Sequence, residues 1–177
     1  MAQVDRNGVD RNKMNKTHWH LVYSKPRQEV TAHINLQQQG YETYLPMAIA
    51  DQRTTKKHCI PLYPSYLFVY LIPGESDFAK VGNTYGVRWL VKTGEFYHTA
   101  PPKLIETLKE RHNGDDLIEV GKSRFEVGDA VAFKTGLLKG YRGAIESLKK
   151  DKADIWCYTG DKLIENVALE LLEPVHG

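Results

Sequence analysis

Trp19, Leu21 and Tyr23 alternate with His20, Val22 and Ser24, a period of two that predicts a strand. Ser24 is placed to cap a following helix, Pro26 is tolerated in a first turn, and Val30, Ile34 and Leu36 offer that helix an apolar side. Gly40 is its natural stop. Residues 41–48 read as a second strand kinked at Pro46, and residues 66–72 as a strong third strand closed by Pro73-Gly74. A short helical segment near 75–80, a turn-rich loop at 82–86 and a strand over 87–92 follow. A last helix starts at Pro101-Pro102, carries Leu104, Ile105 and Leu108 on one side, and ends at Asn113-Gly114. The order strand, helix, strand, strand, short helix, strand, helix is a ferredoxin-like α+β plan.

Beyond Arg124 the segments shorten between Gly128, Gly136, Gly140, Gly143 and Gly160, which predicts a small β-barrel. About fifty residues make a marginal core. Ile145, Leu148, Ile155, Trp156, Val167, Leu169, Leu171 and Leu172 also fit a helical hairpin, so both forms stay open. The expected organisation is a disordered tail (1–16), a first domain (17–113), a linker (114–123) and a second domain (124–177).

Charge supports that division. Residues 1–16 balance at +2, residues 17–113 at +3 with six of the seven histidines, and residues 114–177 at −3. Neither part is basic enough to hold DNA by bulk charge alone. No apolar run approaches the ~20 residues of a membrane helix. No signal peptide is expected, and two distant cysteines, Cys59 and Cys157, suit a reducing cytoplasm.

Chemistry is sparse. His18 and His20 share a strand side without a third ligand in register, and His58-Cys59 face opposite ways on an extended chain. No phosphate loop, dinucleotide fingerprint or carboxylate pair is present. The expectation is a protein without catalysis, metal or cofactor, with a hydrolase as a formal alternative. The strand at 66–71 is more informative, because it is apolar on both faces: Tyr66, Phe68 and Tyr70 point one way and Leu67, Val69 and Leu71 the other. Either helices cover both sides, or one side is an aromatic patch that meets a partner.

Residues 19–26 (WHLVYSKP) resemble the opening strand of a NusG-type amino-terminal (NGN) domain. Residues 61–69 (PLYPSYLFV) resemble that family's (F/Y)PxY(L/V)(F/L)V strand, and 86–91 (GVRWLV) its later strand. Residues 125–131 with 136–143 resemble a KOW module. Leu45-Pro46-Met47 and the short 61–64 connection are closer to the specialised RfaH-like paralogues than to housekeeping NusG.

The resemblance implies a bacterial transcription elongation or antitermination factor that docks on RNA polymerase, restrains its clamp and reduces pausing or termination. Tyr23, Tyr63, Tyr66 and Phe68 are the implied polymerase contacts, since tyrosine buries a ring while keeping a hydrogen bond at the rim. A second polymerase contact is expected at Asp77 and Phe78, where this chain departs from the paralogues' Thr-rich motif; on the residues alone Phe78 reads first as a core residue of a short helix. Lys25, Arg27, His33, Gln39, Thr84 and Tyr85 form the candidate nucleic-acid surface, toward the non-template DNA strand, with a solvated helix face as the alternative. Arg53, Lys56, Lys57 and His58 form a second basic run. Leu137, Leu138 and Tyr141 either plug the barrel or bind a ribosomal small-subunit protein or Rho. In some paralogues the second domain masks the polymerase site, and the same masking is expected here. The competing class is a ribosome- or RNA-binding KOW protein. No membrane partner is expected, and the free protein is expected to be a monomer in the cytoplasm.

Overall fold

The structure, a computed structural model, describes residues 18–49, 59–112, 116–119 and 125–175. The expected tail, the basic run at Arg53, Lys56, Lys57 and His58, and most of the expected linker lie outside them. In chain order the elements are β1 (Trp19–Ser24), α1 (Glu29–Gln38), β2 (Thr43–Tyr44), β3 (Met47–Ile49), β4 (Cys59–Pro61), β5 (Tyr66–Tyr70), α2 (Phe78–Gly82), β6 (Val87–Leu90), β7 (Lys92–Thr93), β8 (Phe96–Tyr97), α3 (Pro102–Glu110) and β9 (Ile118–Glu119). Then come β10 (Ala130–Phe133), β11 (Arg142–Leu148), β12 (Lys152–Cys157), β13 (Lys162–Ala168) and β14 (Leu172–Pro174), with a 3-10 turn at Leu169–Leu171. The chain is mixed α/β, and among the described residues no helix is long and apolar enough to cross a membrane.

The first sheet has the order β2-β5-β1-β6, antiparallel throughout. The alternation in β1 and β5 decides its two faces. Val22, Leu67 and Val69 turn toward α1 and Val81, while Leu21 and Phe68 turn toward α3. Helix α1 corrects the expected facing. It buries Glu29, Ala32 and Leu36, and leaves Val30 and Ile34 exposed. The reason is close approach: a Cβ at Gly86, where φ is +93°, would stand 2.7 Å from the Ala32 amide nitrogen. Only a small side chain fits the inward row there. Ser24 does not cap this helix. It stays in β1, and its hydroxyl donates to the Lys25 carbonyl. Glu29 instead reaches back, its carboxylate accepting the Ser65 amide at 2.8 Å. That bond holds the turn feeding β5, where Ser65 has a φ of +68°.

The expected strand at 41–48 is split at Pro46 into β2 and β3. Strand β3 pairs antiparallel with β4 and parallel with β9, so part of the expected linker is tied down, with Ile118 fully buried. The carboxy-terminal sheet runs β13-β12-β11-β10-β14, antiparallel throughout, and is open at both outer strands. Residues 130–174 therefore take the strand form rather than the helical hairpin. Its far face has its own core, with Val131, Phe133, Ile145, Ile155 and Leu172 among its members. Its near face carries Ala130, Ala144 and Trp156, with Tyr158 just past β12, and these join the apolar cluster built on Leu21, Phe68, Leu104 and Leu108.

Gly86→Ala is expected to lower the unfolding free energy by ~2–4 kcal/mol, combining left-handed strain with a backbone clash. Gly94→Ala, also at positive φ but in open space, is expected to cost about 1 kcal/mol. Urea titration of both variants checks the difference, and equal losses would contradict the close approach.

Candidate docking surface

The face of β5 that bears Tyr66, Phe68 and Tyr70 needs more cover than its own layer supplies. A helix is roughly 10 Å across, whereas four strands spaced by about 4.8 Å make a sheet about 14 Å wide. Helix α3 seals part of that face with Leu104, Ile105 and Leu108. The rest is sealed by the carboxy-terminal sheet.

Rings carry the contact. Tyr23 and Tyr66 are half-buried with centroids 5.1 Å apart, and Tyr66 lies 4.8 Å from Tyr158. Tyr158 is 5.6 Å from Tyr63, which is 5.9 Å from Phe68. Tyr63 and Phe68 have no exposed surface. The four sequence-predicted docking residues are thus one continuous set of rings, with a ring of the carboxy-terminal sheet inserted among them. Burial pushes the hydroxyls of Tyr63, Tyr66 and Tyr158 above the usual phenol range, so they remain donors. The Tyr63 hydroxyl donates to the Gly128 carbonyl at 2.5 Å.

Sequence reasoning missed the outer edge of this surface. Trp89, on β6, stacks on Tyr23 at 4.9 Å, carries the Arg88 guanidinium 4.9 Å from its ring, and is 48% exposed. Its pairing opposite Tyr23 in the β1–β6 register places it there. A read of cross-strand partners would have found it.

A polar joint flanks the rings and was also missed. Arg111, at the end of α3, donates through Nη1 to the Val127 carbonyl at 2.6 Å and through Nη2 to Asp129 Oδ1 at 2.8 Å. Glu126 Oε2 stands 3.3 Å from the same Nη2. The other Asp129 oxygen accepts the Glu126 amide at 2.8 Å. Gly128 sits in the middle with φ +92°, and a Cβ there would come within 2.8 Å of Leu108 Cδ2 and 3.0 Å of Arg111 Nη1. No spacing rule in one sequence pairs a helix terminus with a turn 18 residues later.

The candidate nucleic-acid residues divide. Lys25 Nζ lies 5.5 Å from the centre of the Tyr85 ring, which is 67% exposed. Gln39 Nε2 donates to the Thr84 hydroxyl at 2.9 Å, and Asn35 Nδ2 donates to the Tyr85 carbonyl at 3.2 Å. Thr84 is buried and gives its own proton to the Lys80 carbonyl. Lys25 and Tyr85 therefore carry the accessible chemistry, and Gln39, Thr84 and the unforeseen Asn35 shape the loop. His33 is turned elsewhere, with Nδ1 2.8 Å from the Thr43 hydroxyl. Arg27 is exposed at a left-handed turn before α1.

At the expected second contact, Asp77 caps α2, its Oδ1 accepting the Lys80 amide at 2.9 Å. Phe78 is half-buried, edge-on to His20 at 5.0 Å and 4.8 Å from Tyr97. On the carboxy-terminal sheet Leu137 is fully exposed and Tyr141 about half exposed, while Leu138 packs against the far-face core.

A family model described as "Transcription termination factor nusG" matches residues 17–109, more than half of the chain. Among solved structures, one concerning domain interaction in Thermotoga maritima NusG is similar at 15% identity, covering 90% of this chain and 98% of that one, with a TM-score of 0.40. A crystal structure of the MjSpt4:Spt5 complex, conformation B, is similar at 15% identity over 90% of this chain and 97% of that one, with a TM-score of 0.31. At these scores neither relative bears on the residues above.

Burial lowers the pKa of His20 and His33 below the ordinary 6.5. The folded chain then binds their protons less tightly than the unfolded chain, so their contribution to stability is present above about pH 6.5 and lost as the pH falls through the lowered values. The double variant His20→Gln/His33→Gln is expected to flatten the fall in urea midpoint between about pH 7.5 and 5.5. An unchanged slope would contradict the burial argument.

Proposed function

The chain belongs to the NusG family, and on that footing we propose that it is a bacterial transcription elongation and antitermination factor of the RfaH-like kind. In this reading the first sheet and its helices are a ferredoxin-like NGN domain that binds RNA polymerase, restrains the clamp and reduces pausing or termination. The carboxy-terminal sheet is a KOW module of SH3-like type whose exposed Leu137 and Tyr141 meet a ribosomal small-subunit protein or Rho. The protein acts in the cytoplasm as a monomer when free, without cofactor and without catalysis of its own.

One observation carries the reading. The β5 face holds more aromatic surface than α3 covers, and the remainder is closed by rings from another part of the chain. A surface of that kind is built to be covered by a partner, and aromatic anchors dominate such contacts. Tyr23, Tyr63, Tyr66 and Phe68 form the docking face, and Trp89 extends it. With the carboxy-terminal sheet in place Tyr63 and Phe68 are sealed, so the free protein is masked. Lys25 and Tyr85 form a smaller site suited to a phosphate and a stacked base of the displaced non-template strand.

Because Tyr23 and Tyr66 are only half-buried, the double variant Tyr23→Ala/Tyr66→Ala is expected to stay folded and to lose at least about tenfold in polymerase affinity by co-elution or interferometry. Undiminished polymerase binding would overturn the reading, and retention on ribosomes without polymerase would replace it with the ribosome-bound class.

Lys25→Ala/Tyr85→Ala is expected to weaken binding of single-stranded oligonucleotides and to flatten its dependence on salt. A salt response identical to that of the parent chain would remove the nucleic-acid site.

A further inference from the structure

Tyr85 combines an exposed ring with a tightly held backbone. The loop that carries it, residues 83–86, is gripped from three elements. From α1, the Asn35 amide donates to the Tyr85 carbonyl and the Gln39 amide to the Thr84 hydroxyl. From the end of β1, the Lys25 backbone amide donates to the Gly86 carbonyl at 2.9 Å. From α2, the Val81 carbonyl accepts the Thr84 backbone amide at 3.2 Å, and the Lys80 carbonyl accepts the Thr84 hydroxyl at 3.0 Å. A ring on a backbone fixed in this way loses little freedom when a flat partner lies against it.

The same bonds commit the donors that could otherwise read a base edge. Asn35 gives its other side-chain N–H to the Thr31 carbonyl at 2.9 Å, and Gln39 gives its own to the Asn35 carbonyl at 3.2 Å. With both nitrogens engaged, neither amide can present the donor-and-acceptor pair that selects adenine. The Thr84 hydroxyl has given its single proton to Lys80. Beside the ring stands the Lys25 ammonium, 5.5 Å from its centre, a compact charge that suits a phosphate better than a planar two-point contact. The phenol hydroxyl of Tyr85 can donate or accept, so it suits any base. Stacking is equally tolerant, because every base has a π-face.

From this we infer that α1 holds the 83–86 loop as a preformed stacking platform, and that the platform takes an unpaired base whatever its identity. Asn35 and Gln39 are positioning residues, which set the ring without touching the strand. The assignment rests on the nucleic-acid reading of Lys25 and Tyr85, and under it engagement follows strand opening and not a particular sequence.

The test uses the full chain and short single strands that differ only in one central base, each also annealed to its complement, with binding read by fluorescence anisotropy. The single strands are expected to agree within about threefold, whereas a bidentate base contact would separate them by about tenfold or more. The duplexes are expected to bind at least about tenfold more weakly, because a paired base cannot stack on the ring. Asn35→Ala, with Gln39→Ala as a second variant, is expected to weaken all the single strands by a common factor of about three to ten. The salt slope should not change, because no phosphate contact is lost. A central 2-aminopurine, whose emission falls when it stacks, is expected to be less quenched by either variant at saturation. Tyr85→Trp should keep that quenching and Tyr85→Leu should abolish it. A preference above about tenfold for one base, guanine being the one a lysine or arginine selects, would overturn the tolerance to base identity. Parent-like affinity and quenching in both α1 variants would overturn the positioning role. Unchanged binding by Tyr85→Leu would overturn the platform and leave the nucleic-acid reading on Lys25 alone. Absence of binding by the parent chain would overturn that reading itself, and the platform with it.

Discussion

A strand that is apolar on both faces must be covered twice. Strand β5 meets that demand with Leu67 and Val69 under α1 and with Phe68 under α3. The first cover is complete within the amino-terminal layers. The second is not, because α3 has nine residues and spans roughly 13 Å along its axis. The arrangement of the carboxy-terminal sheet, the sealing of Tyr63 and the tilt of Tyr158 into the ring cluster all follow from that shortfall.

The seam combines non-directional and directional contacts. Rings supply area and tolerate small shifts in angle. Arg111 supplies orientation, because a planar guanidinium with several donors engages a carboxylate and a carbonyl together in only a narrow range of poses. Gly128 completes the fit by letting the backbone approach where any side chain would strike Leu108 or Arg111. Asp129 contributes twice, shaping its own turn through the Glu126 amide and meeting Arg111 with its other oxygen. Orientation and closure are therefore coupled through one carboxylate.

Much of the architecture was legible before any coordinates. Alternation in β1 and β5 identified both strands and both of their faces, since a period of two leaves little freedom once one face is buried. Alternation also put Tyr66 and Phe68 on one face of β5, whereas grouping them with Tyr23 and Tyr63 came from the resemblance to the NusG family. The facing of α1 was not legible, because Val30 and Ile34 lie outside while Glu29, Ala32 and Leu36 face inward, with Ala32 the side chain that fits beneath Gly86; clearance decided where apolarity misled. The strand form of residues 130–174 was undecidable from period alone and was settled by pairing between strands distant in sequence. The same non-locality hid Arg111, Asp129 and Trp89, whose roles exist only once separate elements meet.

The ring-rich seam has one more consequence, for the chain as a solute. Parted, the two halves would each present a greasy aromatic patch to a crowded solution, the situation that favours self-association. Folding one patch onto the other turns two aggregation hazards into a single shared cluster. The same closure that seals Tyr63 and Phe68 therefore also guards the free chain against clumping, and a permanently parted variant should show itself first in its colloidal behaviour.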